Sequence, residues 1–208
     1  MIKKIMSAAI VSIALIGSSF AQSSASAILQ KVSNSLKTSK GATANFSYST
    51  TDKNQHKLGT INGKIALKGN KYFIQQGENE LYSDGSKTWN FNGVDEVTVG
   101  TVDASSGTLN PQKLFSGSFV QKDFTSKLIS SAGSFHVIEL TPVDARKNFK
   151  KVTVYVNKAK NMITKATVLE KTGNTISFSM TDVNTNANLP DSKFVFNPAA
   201  HPGVEVIN

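Results

Sequence analysis

The sequence predicts an α+β fold that is mainly β: a strongly curved antiparallel sheet, or incomplete barrel, with helices covering its open concave side. Three observations carry that expectation. Apolar residues near the start fall at helical spacing. From Thr43 onward the period switches to two and stays there through a succession of short runs. Gly59, Gly63, Gly69, Gly77 and Gly85 punctuate the first of those runs at intervals suited to a meander. Each short strand has one apolar face to bury, and a sheet curled around helices buries them together.

The chain opens with MIKKIMSAAIVSIALIGSSFAQ, in which Lys3 and Lys4 precede an apolar run from Ile5 to Ile16 and then Ser19-Phe20-Ala21. That is the layout of a cleavable secretory signal peptide. The apolar run is shorter than the ~20 residues a spanning helix needs, and no charged stop follows it. Cleavage after Ala21 is expected, so residues 22–208 form a single exported, soluble, monomeric domain, and the 208-residue chain keeps 187 residues after losing 21. That length has room for a sizeable core.

The next segment, SSASAILQKVSNSLKTSKG, sets Ile28, Leu29, Val32 and Leu36 on one face of a helix, with serines to cap its start and Gly41 to end it. Alternation then places Phe46 with Tyr48, and Ile61 with Ile65 and Leu67, before a strand through Tyr72, Phe73 and Ile74. SDGSKTWNFNG follows. Its Asp84-Gly85 is a tight-turn signal, and Trp89 and Phe91 point to one side of a strand whose other side carries Thr88, Asn90 and Asn92. After Val97 and Val99 comes a polar loop, Thr101 to Leu109. In NPQKLF, Asn110 and Pro111 are suited to open a short helix carrying Leu114 and Phe115. Strands resume with FHVIELTP, KKVTVYVN, MITKATVLEK and TISFSM, and KFVFNP is expected as the closing strand.

Reactive constellations are missing. No nucleophile elbow, S-x-x-K, H-E-x-x-H or phosphate-binding loop occurs. His56, His136 and His201 stand apart from one another, Asp84 belongs to its turn, and Asp95 and Glu96 are neighbours that point oppositely on an extended chain. The chain has no cysteine, which excludes disulfides, thiolate metal sites, thiol nucleophiles and a lipid-modified N-terminal cysteine. No catalytic residue, metal or cofactor is expected. The formal charge of +9 falls by two once Lys3 and Lys4 are removed, and its lysines are scattered. Such a surface suits anionic membranes or acidic proteins and does not suggest a nucleic-acid partner.

Several of these stretches resemble one family, the periplasmic outer-membrane lipoprotein carriers of the LolA family. The resemblance lies in TANFSY after the first helix, SDGSKTWNFN with DEVTV behind it, NPQKLF, FHVIELTP and the ending FVFNPAAHPGVEVI. It implies a carrier that shelters lipoprotein acyl chains in a hydrophobic cavity during transfer from inner to outer membrane. Its implied partners are acylated lipoproteins, an inner-membrane lipoprotein-releasing transporter and an outer-membrane acceptor. Phe46, Tyr48, Leu67, Phe73, Trp89, Phe91, Leu114 and Phe115 are the expected lining. The alternatives are a module of the same fold for another lipid or glycolipid, and an exported hydrolase. Shelter answers a physical need, because a sixteen-carbon chain exposes about 12 kcal/mol of apolar transfer energy at ~0.8 kcal/mol per methylene. The best-known members carry Arg-Pro before the strand holding Phe73, the arginine being associated with latching a helical lid. Here the place reads Lys68-Gly69-Asn70-Lys71, which makes those lysines the candidate latch.

Overall fold

A computed structural model describes residues 16–102, 114 and 123–208. The chain forms α1 (Ile16–Thr38), then β1 (Ala42–Thr51), β2 (Lys57–Lys68), β3 (Lys71–Gln76), β4 (Asn79–Ser83), β5 (Lys87–Phe91) and β6 (Glu96–Thr101). It continues with β7 (Phe124–Ser130), β8 (Phe135–Pro142), β9 (Phe149–Asn157), β10 (Met162–Glu170) and β11 (Thr175–Asn184), and ends with β12 (Glu205–Ile207). The expected 101–109 loop and the helix opened by Pro111 lie almost wholly outside the described residues. Leu114 alone of that helix is described, and it is helical.

All these strands belong to one sheet in the order β12-β6-β5-β4-β3-β2-β1-β11-β10-β9-β8-β7. Two antiparallel meanders, β1 to β6 and β7 to β11, are joined side by side through β1 and β11, while β12 runs parallel to β6. The sheet is unclosed, with β12 and β7 at its ends. Its curvature follows from what α1 touches. The helix contacts β2, β10 and β7, which span seven strand positions. Seven strands laid flat cover about 29 Å at ~4.8 Å spacing, against a helix ~10–12 Å across. The sheet must therefore wrap around the helix.

Two hydrophobic clusters lie on opposite faces. The larger fills the inner, concave side beneath α1; the smaller sits on the outer side of β2 to β6, beneath the segment that follows β11. KFVFNP, expected as a closing strand, instead forms a 3-10 turn (Asp191–Phe194) running into extended chain. Its physical reason is the anchoring of Phe194 and Phe196, both buried in the outer cluster, so the segment packs across the strands as a strap and leaves edge pairing to β12. The strap crosses at Gly41, where φ is +138° and a Cβ would lie 2.6 Å from Leu189 Cδ1. Only glycine suits that crossing. No helix among the described residues is long and apolar enough to cross a membrane.

Candidate functional site

The inner face begins with one stripe of α1. Ala25, Leu29, Val32 and Leu36 are buried at spacings of four, three and four residues. Ala25 lets the helix approach closely, and Ser26 Oγ lies 3.3 Å from Ser126 Oγ on β7. The opposing wall rises from both meanders. Phe46 pairs with Met180 and Tyr48 with Phe178 across β1 and β11, then Phe178 with Ala166 and Ala166 with Val154, so these side chains share a face. A bulge at Thr164 lets Ile163 and Ala166, three positions apart, both serve the wall. Beyond the shelter of α1 the wall becomes a rim. Ile28, Tyr48, Leu81, Ile176 and Phe178 are only partly buried, and Ile61, opposite Tyr48, is 43% exposed. The Tyr48 and Phe178 rings meet edge to face with centroids 4.9 Å apart.

Gly63 shapes this wall. It pairs with Phe46, and a Cβ there would run into the Gln75 carbonyl oxygen of β3 and stand 2.6 Å from Cε1 of the Phe46 ring. The absence of a side chain lets the ring lie flat on the strand, as glycines in sheets often allow an aromatic neighbour to do.

The eight candidate lining residues do not form one surface. Phe46, Tyr48, Leu67 and Leu114 meet in the inner cluster, where Leu114 is 0% exposed. Phe115 lies outside the described residues. Phe73, Trp89 and Phe91 turn to the opposite face, because register aligns Ala66, Phe73, Tyr82, Trp89 and Val99 in one row across β2 to β6. Alternation put Trp89 with Phe91 correctly but does not say which side of the sheet they share. Phe73, Phe91 and the partly buried Trp89 build the outer cluster with Tyr82, Phe194 and Phe196. Phe194 and Phe196 were legible only as an alternating pair in FVFNP, while Ile74, Phe178 and Met180 were readable as strand residues without a face.

The outer cluster is tightly closed. Phe91 and Phe196 have centroids 5.6 Å apart, His201 stacks on Phe196 at 4.8 Å, and Lys193 Nζ sits 3.6 Å from the Phe73 ring centroid. The Tyr82 hydroxyl donates to Glu80, and burial together with that bond raises its pKa well above the usual phenol range. Lys68 and Lys71 belong here as well. Lys68 Nζ donates to the Leu189 carbonyl at 2.8 Å, and both ammonium groups lie 2.9 Å from Asp191. Their hydrogen bonds hold the Asp191 carboxyl down to about 2. The candidate latch thus binds the strap, for the simple reason that the β2–β3 turn faces it.

Isolated acids and histidines serve local geometry. Asp84 Oδ1 accepts the amide N–H groups of Ser86 and Lys87 at 2.8 and 2.7 Å, which fixes the turn before β5 and lowers its pKa. Asn92 Oδ1 accepts three successive amides, from Val94 to Glu96. Ser131 Oγ and His136 Nδ1 are 2.6 Å apart, and burial with Lys158 and Lys31 nearby lowers the imidazole pKa. Among the described residues no group of three His, Asp or Glu gathers as a metal site. The arrangement offers apolar surface for binding, with no convergent set of reactive groups beside it among the described residues.

Comparison with known proteins agrees with this geometry. The family model described as outer membrane lipoprotein carrier protein LolA matches residues 37–197. An outer-membrane lipoprotein carrier protein of Nitrosospira multiformis is 25% identical over 170 residues, covering 79% of this chain and 81% of the relative. Among solved structures, an uncharacterized conserved protein from Thermus thermophilus has the same fold, with a TM-score of 0.61 at 12% identity over 88% of this chain and 98% of its own. A LolA superfamily protein from Nitrosomonas europaea matches with a TM-score of 0.44 at 16% identity, covering 83% of this chain and 97% of that one.

Proposed function

The chain belongs to the LolA family of outer membrane lipoprotein carrier proteins, and from that premise we propose that it carries lipoproteins across the periplasm with their acyl chains held on the inner face. One observation supports this reading above the others: the inner apolar wall is wider than α1, and among the described residues its rim at Tyr48, Ile61 and Phe178 is only partly buried. A carrier must release what it binds, and an incompletely covered wall gives access without unfolding the sheet. Acyl chains enter past Tyr48, Ile61 and Phe178 and lie along Phe46, Leu67 and Leu114. An inner-membrane transporter loads the protein, and an outer-membrane acceptor takes the cargo.

Mass spectrometry of protein recovered from its native compartment tests the proposal. The expected spectrum contains a triacylated or diacylated polypeptide, together with a carrier whose intact mass begins at Gln22. A free lipid or glycolipid in its place would move the assignment to the same-fold lipid-binding module. An apolar dye should bind the empty protein and be displaced by a lipoprotein. Failure of the dye to bind would refute an accessible inner face.

A further inference from the structure

The β1–β2 hairpin outgrows the sheet around it. β2 pairs with β1 from Lys57 to Leu67 but with β3 only from Lys64 to Lys68. Residues 57–62 therefore have β1 on one side and, among the described residues, no strand or backbone hydrogen bond on the other. Along such a stretch every second residue directs its N–H and C=O outward. All six residues are exposed, including Leu58 at 62% and Ile61 at 43%. An open edge carrying exposed apolar side chains takes an added strand readily.

Charge selects the occupant. Lys53 in the hairpin turn, Lys57 on the edge and Lys64 at its inner end form no ion pair among the described residues. Asp52 offsets one of these three charges and is fixed in the turn, where its Oδ1 accepts the Asn54 and His56 amides at 2.8 Å each and its Oδ2 lies 3.2 Å from His56 Nδ1. The edge leads into an outer-face cleft of about 360 Å³ whose lining includes Asn45, Lys64, Gln75 and Lys193. The cleft also holds one acid, Asp182, which accepts a hydrogen bond from Asn45 Nδ2 at 2.7 Å, so Lys53, Lys57, Lys64 and Lys193 outnumber Asp52 and Asp182 and leave these groups net positive. A second copy of this chain on the same edge would set these lysines against one another, and like charges facing across strands oppose pairing.

We propose that residues 57–62 of β2 receive, as an added strand, an extended peptide segment bearing acidic side chains at alternate positions. Its backbone completes the ladder, its apolar side chains pack beside Ile61, and its carboxylates lie on the opposite face toward Lys64 and the cleft. This site is distinct from the inner face, and it stands whether or not that face holds acyl chains.

The test uses the full exported chain, isotope-labelled, and three N-acetylated octapeptides: alternating valine and glutamate, alternating valine and lysine, and the glutamate peptide N-methylated at alternate backbone nitrogens. The glutamate peptide should slow amide exchange within 57–62. Replacing Lys57 and Lys64 together by glutamate should weaken its binding by about tenfold or more and reverse the preference toward the lysine peptide. N-methylation should abolish binding, since the methyl groups block the ladder. Circular dichroism and unchanged dye binding establish that the variant is folded. Equal binding of the lysine and glutamate peptides, protection elsewhere in the sheet, or self-association of the chain through this edge would overturn the proposal.

Discussion

The two faces of the sheet are built by the same alternation, yet they solve opposite problems. On the outer face a short row of aromatic rings is closed by the strap, and Phe194 at its centre is fully buried. On the inner face a broad wall extends past α1 and ends in half-buried Tyr48 and Phe178. Rings packed at 4.9 to 5.8 Å, as in the Phe73–Tyr82 and Tyr82–Phe196 pairs, hold the first in a single arrangement. Partly exposed apolar side chains on the second retain transfer energy that a ligand can collect on binding. The difference separates a face that is closed by its own chain from one whose large buried core ends in a partly exposed rim.

Truncating the outer centre is the strongest way to probe this contrast. Phe194→Ala should cost about 3–5 kcal/mol, as expected for a phenyl ring removed from a site that cannot collapse, and should leave apolar-dye affinity unchanged in the remaining folded protein. Tyr48→Ala should do the reverse, losing only about 1 kcal/mol of stability while weakening the dye severalfold. Denaturant titration paired with fluorescence would measure both, and equal stability losses would erase the distinction.

Gly63→Ala has an intermediate expected effect. The new methyl meets the Gln75 carbonyl oxygen on β3 first and the Phe46 ring second, and because backbone must shift, the cost should reach the upper part of the range of about 1–3 kcal/mol expected for overpacking. Because the displaced ring belongs to the inner wall, dye binding should also change, which an outer-face substitution of equal cost would not cause. A crystal structure of the variant should show β3 shifted at Gln75 and the Phe46 ring displaced.

The smallest effect is expected at Asp191. Its carboxyl is held below its ordinary value of 3.8, at about 2, by Lys71 and Lys68. The charged form is therefore the one favoured by folding. Its contribution is complete above pH ~4 and is lost as pH falls toward 2. The pair is exposed, so Asp191→Asn should shift the thermal midpoint little while speeding amide exchange in the strap at neutral pH. Acidification from pH 5 to 2.5 should lower the strap's protection factors, taken after correction for the slower intrinsic exchange at acid pH, in the parent more than in the variant.

Much of the fold was readable because period is a local property. The switch at Thr43, the strand through Trp89 and the alternation in FHVIELTP and KKVTVYVN all survive in the structure. Which face a strand presents is set by register with distant partners, and that information is absent from any single strand. Trp89 shows the consequence, since its neighbour in the row is Tyr82 and its cover comes from a strap more than a hundred residues later. Lys68 and Lys71 were found by their place in a family pattern, but only the strap reveals that Asp191 receives them. KFVFNP was misleading for a related reason: two phenylalanines at alternating positions serve an extended strap as well as a ladder strand.

The parallel pairing of Glu205–Ile207 with β6 bears on the order in which the molecule comes into being. A chain delivered from its N-terminus presents the first meander early, but the Phe73, Tyr82 and Phe91 row stays without its cover until residues 194 and 196 arrive. Among the described residues, β6 gains its second neighbour later still, when Glu205–Ile207 arrives. Contacts at such separation are slow to form and leave apolar surface exposed meanwhile. The outer half cannot close before Phe194 and Phe196 are in place, so a chain truncated before Phe194 should be more exposed to capture by proteases than its missing length alone suggests.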